Sequence, residues 1–553
     1  MLRNLLSSRI ESCRAVSSRI DNSRIAMLAT LFCAVALFSV ALAVPPTPFV
    51  KVGVIRWDCY VGDVHPVGLE CERILSGIPR SDPTAAAVTN YHYRVPWFGK
   101  ILPDNRVQVR NTDILTVERE IRYAKAAGID YWAVCWYGGH DDRGLSLQRN
   151  LWRQSLQRNA VQWCHTVGDN CTAKPRQIAD MVADFKTDMY VKTDSGRPVI
   201  YIIWATAASA DFVGKLFDAC AEQGVPDPFV VVMTYEMNRE RITSALEACR
   251  ASAISSYAQS DGKNDIPFAQ NATNERNRWA FWKTFDAVTI PSVTAGWENR
   301  PRFHTGCSWY EDTDTLRNAW IQYPTMPELQ KHTSDAITFT LANEKVQDFK
   351  SILIYAWNEN DEGGFIAPTL FELQDPANNG RPPKLDAINR AIQPFRVFYT
   401  DIGGHVAANE IRQLASSGVF SGVSTNTFLP DKLVTVKEYT AWLVRTFGLG
   451  RDGSPSSPDG GLGETALPVE LAVADALGIT ATLDPRRKDA DAPVTDREVI
   501  ALTANVMKLL KMSAADDDAR RIFNAIPEKR MTRAKAAVML VQCLELPFKP
   551  FKP

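Results

Sequence analysis

From residue 51 to about residue 395 the chain alternates short apolar runs with longer stretches of helical periodicity, and this alternation restricts the folds open to it. The runs are VGVIRW (52–57), IDYWAVCW (129–136), PVIYIIW (198–204), FVVVMTY (229–235), SAISSY (252–257), AVTIPSV (287–293) and ILIYAW (352–357). Between them lie segments such as ILTVEREIRYAKAAG, SADFVGKLFDACAEQG and TFTLANEKVQDFKS, with apolar residues at helical spacing; the first two close on glycine. Strands that alternate with helices pair in parallel, so an α/β fold is expected, either an open sheet or a (β/α)8 TIM-like barrel. Seven runs are visible, one fewer than a closed barrel needs.

The ends of these runs favour the barrel. Trp57, Trp136 with Tyr137 behind it, Trp204, Tyr235, Tyr257 and Trp357 each stand at the C-terminal end of a run, and Trp297 follows the sixth. In a barrel those ends converge on the face that carries the catalytic loops. Aromatic residues also end strands simply to pack, but so many at one set of ends suggests a cleft walled by flat apolar rings, which suits sugars. Polar groups cluster at the same ends: Asp58, His140 with Asp141 and Asp142, Glu236, Glu298, Asn299, Arg302, Asn358, Glu359 and Glu362. Carboxylates beside an aromatic floor meet the needs of glycosidic cleavage, where the leaving oxygen takes a proton while the anomeric carbon gathers positive charge.

The densest such end is AWNENDEGGF, residues 356–365. Glu359 and Glu362 are three residues apart, which in a helical turn sets their Cβ atoms about 5–6 Å from one another. Like charges that close hold one partner protonated and leave the other as a base. Gly363 and Gly364 allow a sharp turn there. An acidic surface turn would have the same spacing, so the surroundings decide.

AWNENDEGG resembles the last-strand signature of glycoside hydrolase family 99-like proteins, the group that includes endo-α-mannosidases. EIRYAKAAGIDYWAVCWYG and VTAGWENRPR resemble two further motifs of that family, in the same order, and the likeness spans roughly residues 50–395. The resemblance implies that Glu362 is the general acid/base and that Glu359 assists attack at the anomeric carbon by deprotonating the sugar 2-hydroxyl. It also implies that Trp297, Glu298, Asn299 and Arg302 line the substrate subsites. The family carries a bulky residue after its first glutamate; here Asn360 and then Asp361 follow, placing a third carboxylate beside the pair.

Charge narrows the partners. With 62 Lys+Arg against 63 Asp+Glu and no basic block, nucleic acid is not expected. No glycine-rich phosphate loop follows the first run, where VIRWDCYVGD stands, which argues against a glycosyltransferase with a nucleotide-sugar donor. No cofactor is implied. CHTVGDNC (164–171) offers two cysteines and one histidine, one ligand short of a metal site.

Residues 1–43 read as an export signal or N-terminal anchor: five arginines precede IAMLATLFCAVALFSVALAV, and Ala41-Leu42-Ala43 supplies small residues for cleavage. An extracellular or cell-surface location follows. Nine of the 11 cysteines lie beyond that segment, and Cys59 with Cys71, Cys164 with Cys171, and Cys220 with Cys249 are close enough in sequence for disulfides. Cys135 is expected as a buried thiol.

Beyond residue 395 the texture changes to short helices and turns with an internal repeat at 398–449, 466–512 and 513–547, interrupted by the flexible linker GRDGSPSSPDGGLGET (450–465). FYTDIGGHVAANEIRQLASSGVF resembles the opening of an S-layer homology module. That resemblance implies a small, mainly helical domain that binds cell-wall polysaccharide through the Arg of a Thr-Arg-Ala-Glu helix start. Thr532-Arg533-Ala534 retains that start, whereas Val436 and Asp496 replace the arginine in the other copies, so a reduced wall affinity or a purely structural cap is expected. The sequence thus reads as an exported glycoside hydrolase with a surface-binding tail, and alternatively as a surface protein that binds glycans without cutting them.

Overall fold

The structure is a computed structural model. It describes residues 50–137, 144–168, 174–205, 207–259, 265–309, 319–343, 345, 348–378, 381–420, 423, 426–449, 467–488, 491–512, 522 and 531–545. The export-like segment, the loop with His140, Asp141 and Asp142, Cys171 and the linker lie outside the described residues.

Eight parallel runs form the sheet: β1 (Lys51–Arg56), β2 (Tyr131–Trp136), β3 (Gln162–Val167), β4 (Val199–Ile203), β5 (Phe229–Met233), β6 (Ala253–Ser255), β7 and β8 (Ser351–Tyr355). β7 comes in two halves, Val288–Thr289 and Ser292–Thr294, around Pro291, which lacks the N–H a continuous ladder needs. Its first half pairs with β6 and its second with β8. Since β8 also pairs with β1, the ladder returns to its start and the sheet curls into a TIM-like ring. The strands are buried on both faces, as a sheet covered by helices outside and side chains inside must be.

The strand without a counterpart among the seven apolar runs is β3. Gln162, His165 and Thr166 break up its apolar pattern, and the fold accommodates the imidazole of His165 by pairing rather than exposure. His165 Nε2 meets Asp184 Oδ2 at 3.1 Å, and the ring lies edge-on to Trp163 at 4.9 Å. Cys164 and His165, read above as part of an incomplete metal site, are therefore sheet residues, and no cluster of metal-ligating side chains occurs among the described residues. Inside the ring the Tyr131 hydroxyl bonds Tyr201 Oη at 2.7 Å and Ser351 Oγ at 2.8 Å. Gly53 makes room for that phenol, since a Cβ there would stand 2.1 Å from the Tyr131 ring.

The helices around the ring are α1 (Pro66–Leu75), α2 (Ile114–Ala127), α3 (Leu147–Gln154), α4 (Pro175–Phe185), α5 (Ala207–Glu222), α6 (Arg239–Ala248), α7 (Phe268–Trp282), α8 (Arg300–Thr305), α9 (Met326–Leu341), α10 (Leu370–Gln374) and α11 (Pro383–Arg396). α2 starts on Asp113, whose side chain accepts from Thr116 N, and stops at Gly128 with φ 80°. The helix expected over TFTLANEKVQDFKS instead ends at Leu341. Its start is fixed upstream by a capping box, Thr325 with Glu328, and Phe349 is drawn into the core ahead of β8.

Helices α12 (Ala408–Ser416), α13 (Val436–Phe447), α14 (Leu467–Ala476), α15 (Asp496–Leu509) and α16 (Arg533–Glu545) follow. Capping boxes start α13 (Thr435, Glu438) and α15 (Thr495, Glu498). The segments before α13, α15 and α16 pair with one another: Val434 N donates to Met531 O at 3.1 Å and Val494 N to Val434 O at 3.0 Å. Arg533, the expected wall-binding side chain, is buried. Its guanidinium donates to Phe428 O at 2.8 Å and pairs with Glu438 Oε1 at 2.5 Å, so it braces the module internally.

This module packs against the barrel. Arg396 donates to Gly128 O, Ser416 O and Val50 O at 2.8–3.0 Å and pairs with Asp130. Ser417 Oγ donates to Lys125 O at 2.8 Å, and Ala126 and Leu156 add to the module's apolar core. Every barrel group here precedes β1, β2 or β3, so the module sits at the pole where the strands begin.

Cys59, Cys71, Cys220 and Cys249, whose spacing left disulfides open, are buried free thiols, and Cys135 is a buried thiol as expected. Among the described residues no helix is long and apolar enough to cross a membrane.

Gly448 has φ 57°, and a Cβ on it would meet Ala160 Cα, on the barrel, at 2.4 Å. Gly448→Ala is expected to cost about 2–4 kcal/mol through left-handed strain and overpacking. Calorimetry should show barrel and module melting together at a lower temperature; an unchanged midpoint would mean that the two do not share this contact.

Candidate active site

Where β8 ends, the chain makes a short hairpin over the mouth of the ring: Asn358–Glu359 pairs antiparallel with Gly364–Phe365, and Asn360–Glu362 form a single 3₁₀ turn. Side chains three residues apart nearly eclipse in such a turn, which puts Glu359 and Glu362 on one side. Both glycines are required. Gly363 has φ 79°, and a Cβ on Gly364 would collide with the Tyr355 ring at 2.0 Å.

Arg302, near the start of α8, reaches three carboxylates with its three nitrogens. Nε donates to Asp361 Oδ2 at 2.8 Å, Nη1 to Glu362 Oε2 at 2.5 Å and Nη2 to Glu359 Oε2 at 3.2 Å. Each remaining carboxylate oxygen has its own donor: Tyr257 Oη to Glu359 Oε1 at 2.5 Å, Trp297 Nε1 to Glu362 Oε1 at 2.7 Å, and Tyr60 Oη to Asp361 Oδ1 at 3.1 Å. The guanidinium lies over Trp57 at 5.3 Å and Trp309 at 5.9 Å.

Glu359 is 3 % exposed and Glu362 8 %. Burial, reinforced by the charge of Glu362, pushes Glu359 up to about 8, with Arg302 and the Tyr257 hydroxyl offsetting only part of the rise. At neutral pH the free site therefore carries its proton on Glu359. Burial works against the charge of Arg302, but Asp361, Glu362 and Glu359 outweigh it and hold its pKa well above the ordinary value.

Other residues read from the sequence separate into support and rim. Asn358 spends both polar atoms on the Trp57 backbone, accepting from its N at 2.9 Å and donating to its O at 2.6 Å. Trp357 does not reach the mouth; it is fully buried, packs 5.3 Å from Trp132 and donates to Glu120 Oε1 at 2.8 Å. Asp58 is paired with Arg56 at 2.6 Å, Glu298 with Arg94 and Arg300, and Glu236 with Arg241 at 2.9 Å. Asn299 is buried at the head of α8. Trp136 is buried against Phe212. Trp204 and Tyr137 stand about half exposed, and Tyr235 lies 6.3 Å from Trp204. Trp204 holds φ 49°, a strained conformation for so bulky a residue at a strand end.

Sequence reasoning missed Tyr60, Arg94 and Trp309. Tyr60 lies in WDCY, three residues past Trp57, and could have been found as a second aromatic of the same strand end. Arg94, in HYRVPW, and Trp309, in CSWY, follow no strand and gave no signal.

Comparison with known proteins identifies residues 398–435 as an S-layer homology domain. No curated protein sequence matches the chain. Two solved structures of the GH99 endo-alpha-mannosidase from Bacteroides thetaiotaomicron, one in complex with BIS-TRIS-Propane, are similar at 16 % and 15 % identity. They superpose with TM-scores of 0.36 and 0.35 over 58 % and 57 % of this chain and 87 % of theirs. The GH18 chitinase ChiB from Flavobacterium johnsoniae follows at 11 % identity and a TM-score of 0.29, over 51 % of this chain and 92 % of its own.

The raised pKa of Glu359 has a consequence for stability. The unfolded glutamate titrates near ~4.3, so unfolding lets Glu359 ionise and stability falls as pH rises from there to about 8, then levels off. Glu359→Gln removes this loss. Its thermal midpoint relative to the unsubstituted protein is expected to improve between pH ~5 and pH ~8.5; a difference independent of pH would place the proton elsewhere.

Proposed function

We propose that the protein is an exported glycoside hydrolase that cleaves a polysaccharide at the mouth of the barrel with Glu359 and Glu362, and that its C-terminal module holds it at the cell surface. The observation that carries this reading is one guanidinium joining two buried carboxyl groups at the end of the last strand, where burial and the neighbouring charge of Glu362 push Glu359 up to about 8. Such a pair supplies the acid that protonates a leaving glycosidic oxygen and the base that assists attack on the anomeric carbon. Trp204, Tyr137 and Trp309 on the rim offer exposed ring faces on which sugars can stack. The export-like arginine and apolar pattern of residues 1–43 and the S-layer homology match support the location.

The likeness to family 99 motifs assigns the acid/base role to Glu362 and the assisting role to Glu359, and names a mannose-containing glycan as the first substrate to try. The free site carries its proton on Glu359. The two assignments therefore differ in which carboxyl group bears the proton before glycan binds.

A second reading, glycan binding without cleavage, draws on the burial of the pair and on Arg302, which occupies one oxygen of each glutamate. Turnover separates the two. Glu359→Gln and Glu362→Gln are each expected to lower hydrolysis of a responsive mannan or wall polymer by about 10²–10⁴-fold while glycan binding is kept. Reducing-end release from a polysaccharide panel measures it, and unchanged turnover in both variants would remove the mechanism.

A further inference from the structure

We propose that Asp361 is a positioning residue: it is the fixed counter-ion of Arg302, and by taking up that charge it leaves the Glu359–Glu362 pair to hold the proton that acid catalysis uses. The proposal rests on reading that pair as catalytic. Its starting point is geometric. Asp361 is fully buried, its Oδ2 accepts from Arg302 Nε at 2.8 Å, and its Oδ1 accepts from Tyr60 Oη at 3.1 Å. Tyr60 Oη also lies 3.2 Å from Asp361 N, which donates to it, so the carboxylate is clamped from both ends of its own residue. With Nε so engaged, the planar fork of Arg302 can only aim Nη1 and Nη2 together, one at each glutamate.

Charge balance gives this geometry its function. Among the described residues, the other titratable groups facing the cluster are Tyr60 and Cys59 after β1, Cys71 on α1, Cys135 at the end of β2, Tyr235 after β5, Tyr257 after β6, Cys307 after α8 and Tyr355 on β8. Burial raises the pKa of each, so all are neutral at physiological pH. Tyr137 stands at the rim, and the surrounding acids Asp58, Glu120 and Glu298 are balanced by Arg56, Arg94 and Arg300. What remains among the described residues is one cation, Arg302, against three carboxyl groups. If Asp361 cancels Arg302, nothing rewards both glutamates for ionising next to one another, and one proton stays. If Asp361 lost its charge, Arg302 would face the pair alone and favour its full ionisation, removing the acid.

The test is a glycan-free titration followed by carbon-13 carboxyl resonances, with the resonance of interest identified as the one lost in Glu359→Gln. In Asp361→Asn the midpoint is expected to fall by about one unit or more, the usual effect of a charge ~4–6 Å away. In Arg302→Gln it should rise, and in the double variant it should lie between the two singles, because the charges leave together. An unmoved midpoint in Asp361→Asn, or a shift of both singles in the same direction, would overturn the proposal; a purely structural Asp361 would lower the melting temperature without moving the titration. Should Asp361→Asn fail to fold, comparing the double variant with Arg302→Gln answers the same question, since equal midpoints there would also overturn the proposal. No turnover enters the measurement, so a protein that cuts no glycan leaves this result standing, and an active enzyme with an unmoved midpoint fails this inference alone.

Discussion

The mouth of the barrel is organised by one buried cation. Arg302 is nearly inaccessible to water, and a guanidinium so placed persists only where its donors meet compensating charge. Three carboxyl groups provide it, one for each nitrogen. Much of the surrounding architecture serves this requirement: the hairpin turn after β8 delivers the acids, Gly363 and Gly364 allow that turn, and the Trp57 and Trp309 rings cover the cation on its open side.

A second layer of pairs keeps the first in place. Asn358 ties the hairpin to the end of β1, Arg94 bonds Glu298 and the carbonyl of Asn360, and the Glu120 carboxylate receives both Arg56 and the Trp357 indole. Asn358, Glu298 and Trp357 are polar or aromatic residues at strand ends, the same features that mark substrate-contacting residues, yet their partners are other parts of the protein. The groups left with exposed faces, Trp204, Tyr137 and Trp309, form a small part of the aromatic set.

That division explains what the sequence could and could not convey. The strand order and the carboxylate turn were legible because apolar runs and the spacing of Glu359 and Glu362 depend on local periodicity. β3 escaped because His165 is reconciled with the core by Asp184, nineteen residues away, a pairing that no local pattern reveals. The start of α9 was written in Thr325 and Glu328, but the apolar residues nearer β8 carry a helical spacing of their own and masked it. The fate of Trp357, Glu298 and Arg533 turned on partners such as Glu120, Arg94 and Glu438, all far off in the chain, so residue type alone suggested contact with glycan where the fold uses each as internal bracing.

The C-terminal module is fastened where the barrel strands begin, whereas the acids open where they finish. Six residues of strand at ~3.3 Å each put roughly 20 Å of rigid wall between those poles. Whatever surface the module grips would lie behind the molecule, and the cleft would look outward. Under the proposed function, a tether so arranged would act as a pedestal, offering the cleft to polymer arriving from beyond the cell rather than to the strand underfoot.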